Sequence, residues 1–150
     1  MKITVNNTEA PTDLMYDPDN GFWMKADGNT VRIGLNHLTQ ESSGTFVAVR
    51  LSDIGTSLKK DESFGSVEAE KHVGHFNIPL SGKIIRKNEK VVDNPGLINN
   101  DPYGEGWLIE IEASDLESQV QNFIQGKQSI LDWFESEYAK MNDKGWLAQD

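Results

Sequence analysis

Phe64-Gly-Ser-Val-Glu-Ala-Glu-Lys71-His-Val-Gly-His-Phe-Asn-Ile-Pro-Leu-Ser-Gly82 consists of two β-rich runs around a polar centre, closing on Pro-x-Ser-Gly. Phe64 and Val67 on one side and Val73, Phe76 and Ile78 on the other suit a pleated, half-buried surface, so the runs are predicted to pair as a hairpin. Glu68, Glu70, Lys71 and His72 crowd its tip, and the ε-amine of Lys71 projects from a rigid support. A lysine held in this way is offered to a modifying enzyme. Taken alone, however, the same stretch also describes one solvated lysine on a turn.

Working outward, Phe22-Trp-Met-Lys25, an Asp27-Gly28-Asn29 turn and Thr30-Val-Arg-Ile33 read as a second hairpin, with Val31 and Ile33 on one face. Asn36 can cap a short helix running through Gln40. Gly44-Thr-Phe-Val-Ala-Val-Arg-Leu51 has the highest β-propensity of any segment, and Gly55 with Asp61-Glu62 brackets its connection to the Lys71 hairpin. Lys83-Ile-Ile-Arg86 and Trp107-Leu-Ile-Glu-Ile111 add further short strands. Such spacing predicts a mainly β sandwich or flattened barrel.

After Glu112 the period changes. Ser114-x-x-Glu117 has the form of a capping box, and Leu116, Val120, Phe123 and Ile124 recur at helical spacing. Beyond Gly126, the stripe Ile130, Phe134, Tyr138 and Met141 predicts a final helix over about 129–143, with Gly145 just past its end. Trp133 and Trp146 fall off that stripe, which leaves a docking face open. Residues 1–13, polar and interrupted by Pro11, read as a flexible lead-in to one domain spanning 14–150.

The 150 residues suffice for a single packed core. Met1-Lys-Ile-Thr-Val lacks the blocks of a signal peptide and no apolar run is long enough to span a membrane, so a cytoplasmic protein is expected. A formal charge of −10 disfavours nucleic acid and anionic lipid. The absence of cysteine removes disulfides and thiolate chemistry, so any redox function must arrive on a cofactor. Three histidines without thiolates form no metal-site pattern. No nucleophile–base pair or phosphate loop is present, so the chain is not expected to be an enzyme.

A second distinctive segment is Asn99-Asn-Asp-Pro-Tyr-Gly-Glu-Gly-Trp107. Combined with Phe-Gly-x-Val-Glu-x-x-Lys71, Pro-x-Ser-Gly82, Asn88 and Asn94-Pro95, it resembles the glycine-cleavage H protein family of lipoyl carriers from Tyr16 to about Phe123. The resemblance implies a lipoyl-domain-like fold, a flattened β-barrel or sandwich hybrid with a short N-terminal helix and C-terminal helices. It also implies lipoate in amide linkage on Lys71, with Glu68 guiding the lipoylating enzyme, and makes Glu70, His72, Gly74 and His75 the residues around the cofactor. The implied partners are lipoate ligase or lipoyl-transfer enzymes, dihydrolipoyl dehydrogenase and the enzymes between which the arm moves. A biotin carrier fits poorly, because Glu70 and His72 flank Lys71 where that family has methionines.

Two departures bear on the cargo. In the family, Tyr-x-Pro-x-His-Glu-Trp precedes the first strand. Here Tyr16-Asp-Pro-Asp-Asn-Gly-Phe-Trp23 is one residue longer, with Phe22 where the glutamate belongs, and His75 replaces an acidic residue four positions after the lysine. A protonated methylamine thus loses two counter-charges, for which Asp17, Asp19 or Glu70 can compensate. Lys71-His-Val-Gly74 resembles instead the tip of H-like lipoate-binding proteins that work with a heterodisulfide-reductase-like complex in sulfur oxidation. The sequence favours that carrier, with the glycine-cleavage H protein as the alternative and a non-lipoylated binding module as a reading from another class.

Overall fold

The computed structural model describes residues 1–147. In chain order its strands are β1 (Lys2–Val5), β2 (Thr8–Pro11), β3 (Met15–Tyr16), β4 (Phe22–Asp27) and β5 (Thr30–Leu35). Helix α1 (His37–Ser43) follows, then β6 (Phe46–Leu51), β7 (Ser57–Leu58), β8 (Ser63–Ala69), β9 (His72–Asn77) and β10 (Gly82–Lys87). Helices α2 (Glu89–Asp93) and α3 (Gly96–Asn100), strand β11 (Ile109–Ala113), α4 (Leu116–Gln119) and α5 (Lys127–Asp143) complete the order.

Two open sheets form the sandwich, one in the order β3-β4-β5-β11-β10-β7 and one in the order β6-β8-β9. Between them Met24, Ile33, Phe64, Phe76, Ile84 and Ile111 bury a continuous apolar core. Alternation explains most strands, but Phe22, Trp23 and Met24 are all buried, because β4 is covered on both faces. Phe22 and Met24 face the inter-sheet core, whereas Trp23 joins Tyr16, Leu38, Ile130 and Phe134 in a second core beneath α5.

That second core accounts for the main departure from expectation. Residues 1–13 are not a flexible lead-in: β1 and β2 pair antiparallel, with Ile3, Val5 and Ala10 buried in the second core. Asn6 and Asn7, at φ 45° and 72°, make the two-residue connection in the left-handed region that asparagine tolerates. Tyr103 fastens this hairpin, since its hydroxyl donates to Glu9 O and accepts from the His37 amide. Burial pushes the ionisation of Tyr103 and Tyr16 well above the ordinary tyrosine value.

The helix expected after Glu112 is also cut short. α4 ends at Gln119 and a 3-10 turn follows at Val120–Asn122. Phe123 is extended, and Ile124 bridges Tyr16 through bonds of 2.9 and 3.0 Å. The pairing with β3 overrides the helical spacing, and no side chain caps α4, so the Ser114-x-x-Glu117 box does not form. By contrast, Asn36 caps α1 through Thr39 N at 2.9 Å, and α5 spans the predicted range and ends before Gly145.

Candidate functional site

Lys71 lies on a two-residue turn between β8 and β9, with Ala69 opposite His72. Hairpins of this length favour positive φ at the central residues, yet neither Glu70 nor Lys71 has it. Instead the turn is anchored from outside. Glu70 N donates to Thr45 O and Lys71 N to Ser43 O, each at 2.9 Å, on the corner between α1 and β6. At the base of the hairpin, a side chain at Gly65 would collide with the Arg50 carbonyl of β6, so only glycine lets the strands approach this closely.

Asn99 holds that corner. Its amide nitrogen donates to Gly44 O at 2.8 Å and Gln40 Oε1 at 2.9 Å, while its oxygen accepts from Phe46 N at 2.9 Å. Gly44, at φ 76° and ψ −155°, occupies backbone space open essentially to glycine alone. The Lys71 side chain is exposed and takes part in none of the ion pairs formed among the described residues.

Two depressions flank the lysine. The larger, about 650 Å³, lies along the free edge of β9, walled by Phe22, Leu38, Phe76, Trp133, Met141 and Trp146. Phe22 is fully buried there, with ring centroids 5.6 Å from Phe64 and 6.1 Å from Phe76, so it anchors the aromatic floor of the cleft. The smaller depression, about 390 Å³, is polar and includes Glu41, Thr45, Glu70 and Asn99.

The residues singled out around Lys71 separate accordingly. His72 and His75 line the larger cleft, and Ser63 Oγ lies 3.3 Å from His75 Nδ1. Glu70 turns to the smaller depression, where its carboxylate accepts from Thr45 N at 3.4 Å. Glu68 sits opposite Val73 on the exposed outer face, and Gly74 pairs with Val67 within the hairpin. Of the carboxylates able to compensate for Phe22 and His75, Asp17 is buried and engaged with Asp19 N at 2.9 Å and Asn20 Nδ2 at 3.1 Å. Asp19 lines the large cleft.

The sequence reading missed the role of Asn99 and the wall built by α5. For Asn99 no local signal exists, because its partners lie more than fifty residues away along the chain. For the wall the signal was the pair Trp133 and Trp146 off the core stripe, and both face the cleft.

Comparison with known proteins gives one answer. The family model described as glycine cleavage H-protein matches residues 14–134. The glycine cleavage system H protein of Anoxybacillus flavithermus is 42% identical over 79% of this chain and 91% of its own length. That of Corynebacterium jeikeium is 40% identical over 72% and 87%. The crystal structure of a glycine cleavage system H protein from Mycobacterium marinum superposes with a TM-score of 0.65 at 34% identity, covering 70% of this chain and 87% of that one. The chain belongs to the glycine cleavage H-protein family, lipoyl-domain-like carriers that bear lipoate covalently on a lysine and have no catalytic activity of their own.

Proposed function

We propose that Lys71 is the lipoyl attachment point and that the chain is the H protein of a glycine cleavage system, carrying an aminomethyl group between partner enzymes. The observation that carries this reading is an exposed lysine in no ion pair among the described residues, on a doubly anchored turn, at the mouth of a cleft with aromatic walls. These residues fit the group: an exposed amine that forms no ion pair among the described residues is open to acylation, and an aliphatic arm finds an aromatic and thioether wall beside it. When bound, the dithiolane supplies the redox and group-transfer chemistry.

The chain's own part is presentation. The bonds to Ser43 and Thr45 fix the root of the tether, so its free end is concentrated at each docked partner. Phe22, Phe76 and Trp133 exclude water from one side of the sweep, and exposed Glu68 offers a charge on the outer face for the lipoylating enzyme. In this reading the partners are lipoate ligase or lipoyl-transfer enzymes, the glycine-cleavage enzymes and dihydrolipoyl dehydrogenase, acting in the cytoplasm. No helix of the described residues is long and apolar enough to cross a membrane.

The sequence alone favours sulfur oxidation on the strength of Lys71-His-Val-Gly74. The relatives support the alternative better: those compared above carry the glycine-cleavage name, and nothing in them supports a heterodisulfide-reductase-like partner. The test is the intact mass of protein produced with lipoate and a lipoylating enzyme, followed by exchange of glycine carboxyl with bicarbonate in the presence of the glycine-cleavage decarboxylase. One lipoyl increment, absent from Lys71→Arg, together with exchange supports the proposal. An unmodified Lys71 gives way to the binding-module reading, and a lipoylated protein inert in exchange removes the glycine-cleavage assignment.

A further inference from the structure

The large cleft has a wall with its own periodicity. Trp133, Glu137, Met141 and Gly145 follow one another at spacing four and all line it, so a single face of α5 and its exit looks toward the Lys71 tip. Glu137 is the only ionisable residue of that stripe. It lies beyond residue 134, where the family match ends. Its side chain is 23% exposed, set between an indole and a thioether, where a charge interaction is less screened than at the open surface. Its present partner, Lys140 Nζ at 3.3 Å, is 63% exposed and belongs to the weak class of surface pairs that a better-placed cation displaces.

Acylation changes the balance of the cleft. Among the described residues its lining carries two carboxylates, Asp19 and Glu137, against one ammonium, Lys71, besides the histidines His72 and His75. Conversion of Lys71 to an amide removes that ammonium and leaves both carboxylates. Asp19 sits exposed on the loop before β4, whereas Glu137 lies within the apolar wall. The other depression also contains carboxylates, Glu41 and Glu70, but no large apolar side chain lines it, so an aliphatic arm has nothing there to cover.

We propose that Glu137 is the counter-charge for a cationic group at the end of the Lys71 arm, and that α5 thereby sets the cargo this carrier shelters. The inference rests on the lipoyl reading above and adds to it a specificity-determining residue outside the family match. Because the chain has no cysteine, the thiols of the reduced arm are its only thiols. They can be alkylated with 2-bromoethylamine to give a cationic arm, or with 1-bromopropane to give a neutral arm of similar size; in each case a sulfur–carbon bond forms and bromide and a proton leave.

The experiment compares thermal midpoints and tryptophan emission of these two holo forms, in the native chain and in Glu137→Gln, Asp19→Asn and Glu70→Gln. The cationic arm is expected to raise the midpoint by a few degrees over the neutral arm and to shift the emission from Trp133 and Trp146. This difference persists in Asp19→Asn and Glu70→Gln and collapses in Glu137→Gln, with the neutral-arm form of each variant as its own reference for folding. Equal midpoints for the two arms, or a difference that survives in Glu137→Gln, overturns the inference while leaving lipoylation and glycine exchange intact. Absence of the lipoyl increment at the outset overturns the carrier reading and this inference together.

Discussion

Replacing Asn99 with leucine tests whether the Lys71 tip is rigid because its support is. The substitution keeps the branched skeleton of the side chain and removes three hydrogen bonds at once, stripping a partner from Phe46 N, Gly44 O and Gln40 Oε1. A buried backbone group without a partner costs about 1–3 kcal/mol. The site is only partly buried and water can reach some of these groups, so the two backbone losses together are expected to cost about 2–4 kcal/mol. For a chain of this size that lowers the melting temperature by roughly 5–15 °C.

The more telling readout is local. Glu70 N and Lys71 N bond to the carbonyls of Thr45 and Ser43, which flank Gly44 on the corner that Asn99 holds. Their amide exchange is therefore expected to accelerate roughly tenfold or more, beyond what amides of the central β5–β11 pair show under the same conditions. Lipoylation of Lys71 should slow with it. A stability loss below about 1 kcal/mol, with exchange at Glu70 and Lys71 unchanged, would refute the claim that the tip depends on this support.

Three further outcomes follow from the packing. Gly44→Ala brings a Cβ within 2.6 Å of Glu70 Oε1 at φ 76°, and is expected to cost about 1–3 kcal/mol; a double-mutant cycle with Glu70→Ala in urea should recover the contact part but not the backbone part, and a neutral Gly44→Ala would sink the idea. Gly34→Ala puts a Cβ 2.6 Å from the Trp23 indole, displacing the ring from its 2.9 Å bond to Pro102 O, so a loss of about 1–3 kcal/mol and a red-shifted tryptophan emission are expected. Burial raises Tyr103 and Tyr16 above the ordinary value of 10.0 that they regain on unfolding, so their contribution is complete below pH 10 and is lost as pH rises above it. The unfolding free energy measured in urea should fall there by up to about 1.4 kcal/mol per pH unit per tyrosine, and less in Tyr103→Phe.

Much of this fold is legible because local and long-range preferences agree. The hairpins around Gly28-Asn29 and Glu70-Lys71 carry β-rich runs with polar turns, and Asn36 sits where a helix needs a cap. Legibility fails where a distant partner decides. Leu116, Val120, Phe123 and Ile124 have helical spacing, but Tyr16 draws Ile124 into a bridge and the helix stops. In β1 and β2 the alternation of Ile3 with Val5 and Thr8 with Ala10 was present, and Asn6-Asn7 marked a turn, yet four-residue strands flanked by polar residues do not reveal what will cover them. In α5 the stripe separates Ile130 and Phe134, which enter the core, from Trp133, which walls the cleft, but it groups Met141 with the core although Met141 also lines the cleft.

The two segments that identify the family are far apart in sequence, and the bonding explains why both are needed for one lysine. Asn99 holds the corner that receives the tip. Asp101 accepts from Glu105 N at 2.9 Å and closes the loop, and Pro102 O accepts from the buried Trp23. Tyr103 ties α1 to the N-terminal hairpin, and Trp107 lies beneath Arg32 and Arg86, which share Glu110. Each of these side chains or carbonyls is engaged within the chain, so the Asp101–Trp107 loop has an architectural role. Its work is done one layer below the lysine. A tethered arm profits from long reach only if its root does not move, and here the root is fixed by two backbone bonds to a corner that is itself pinned by residues from the 99–107 segment.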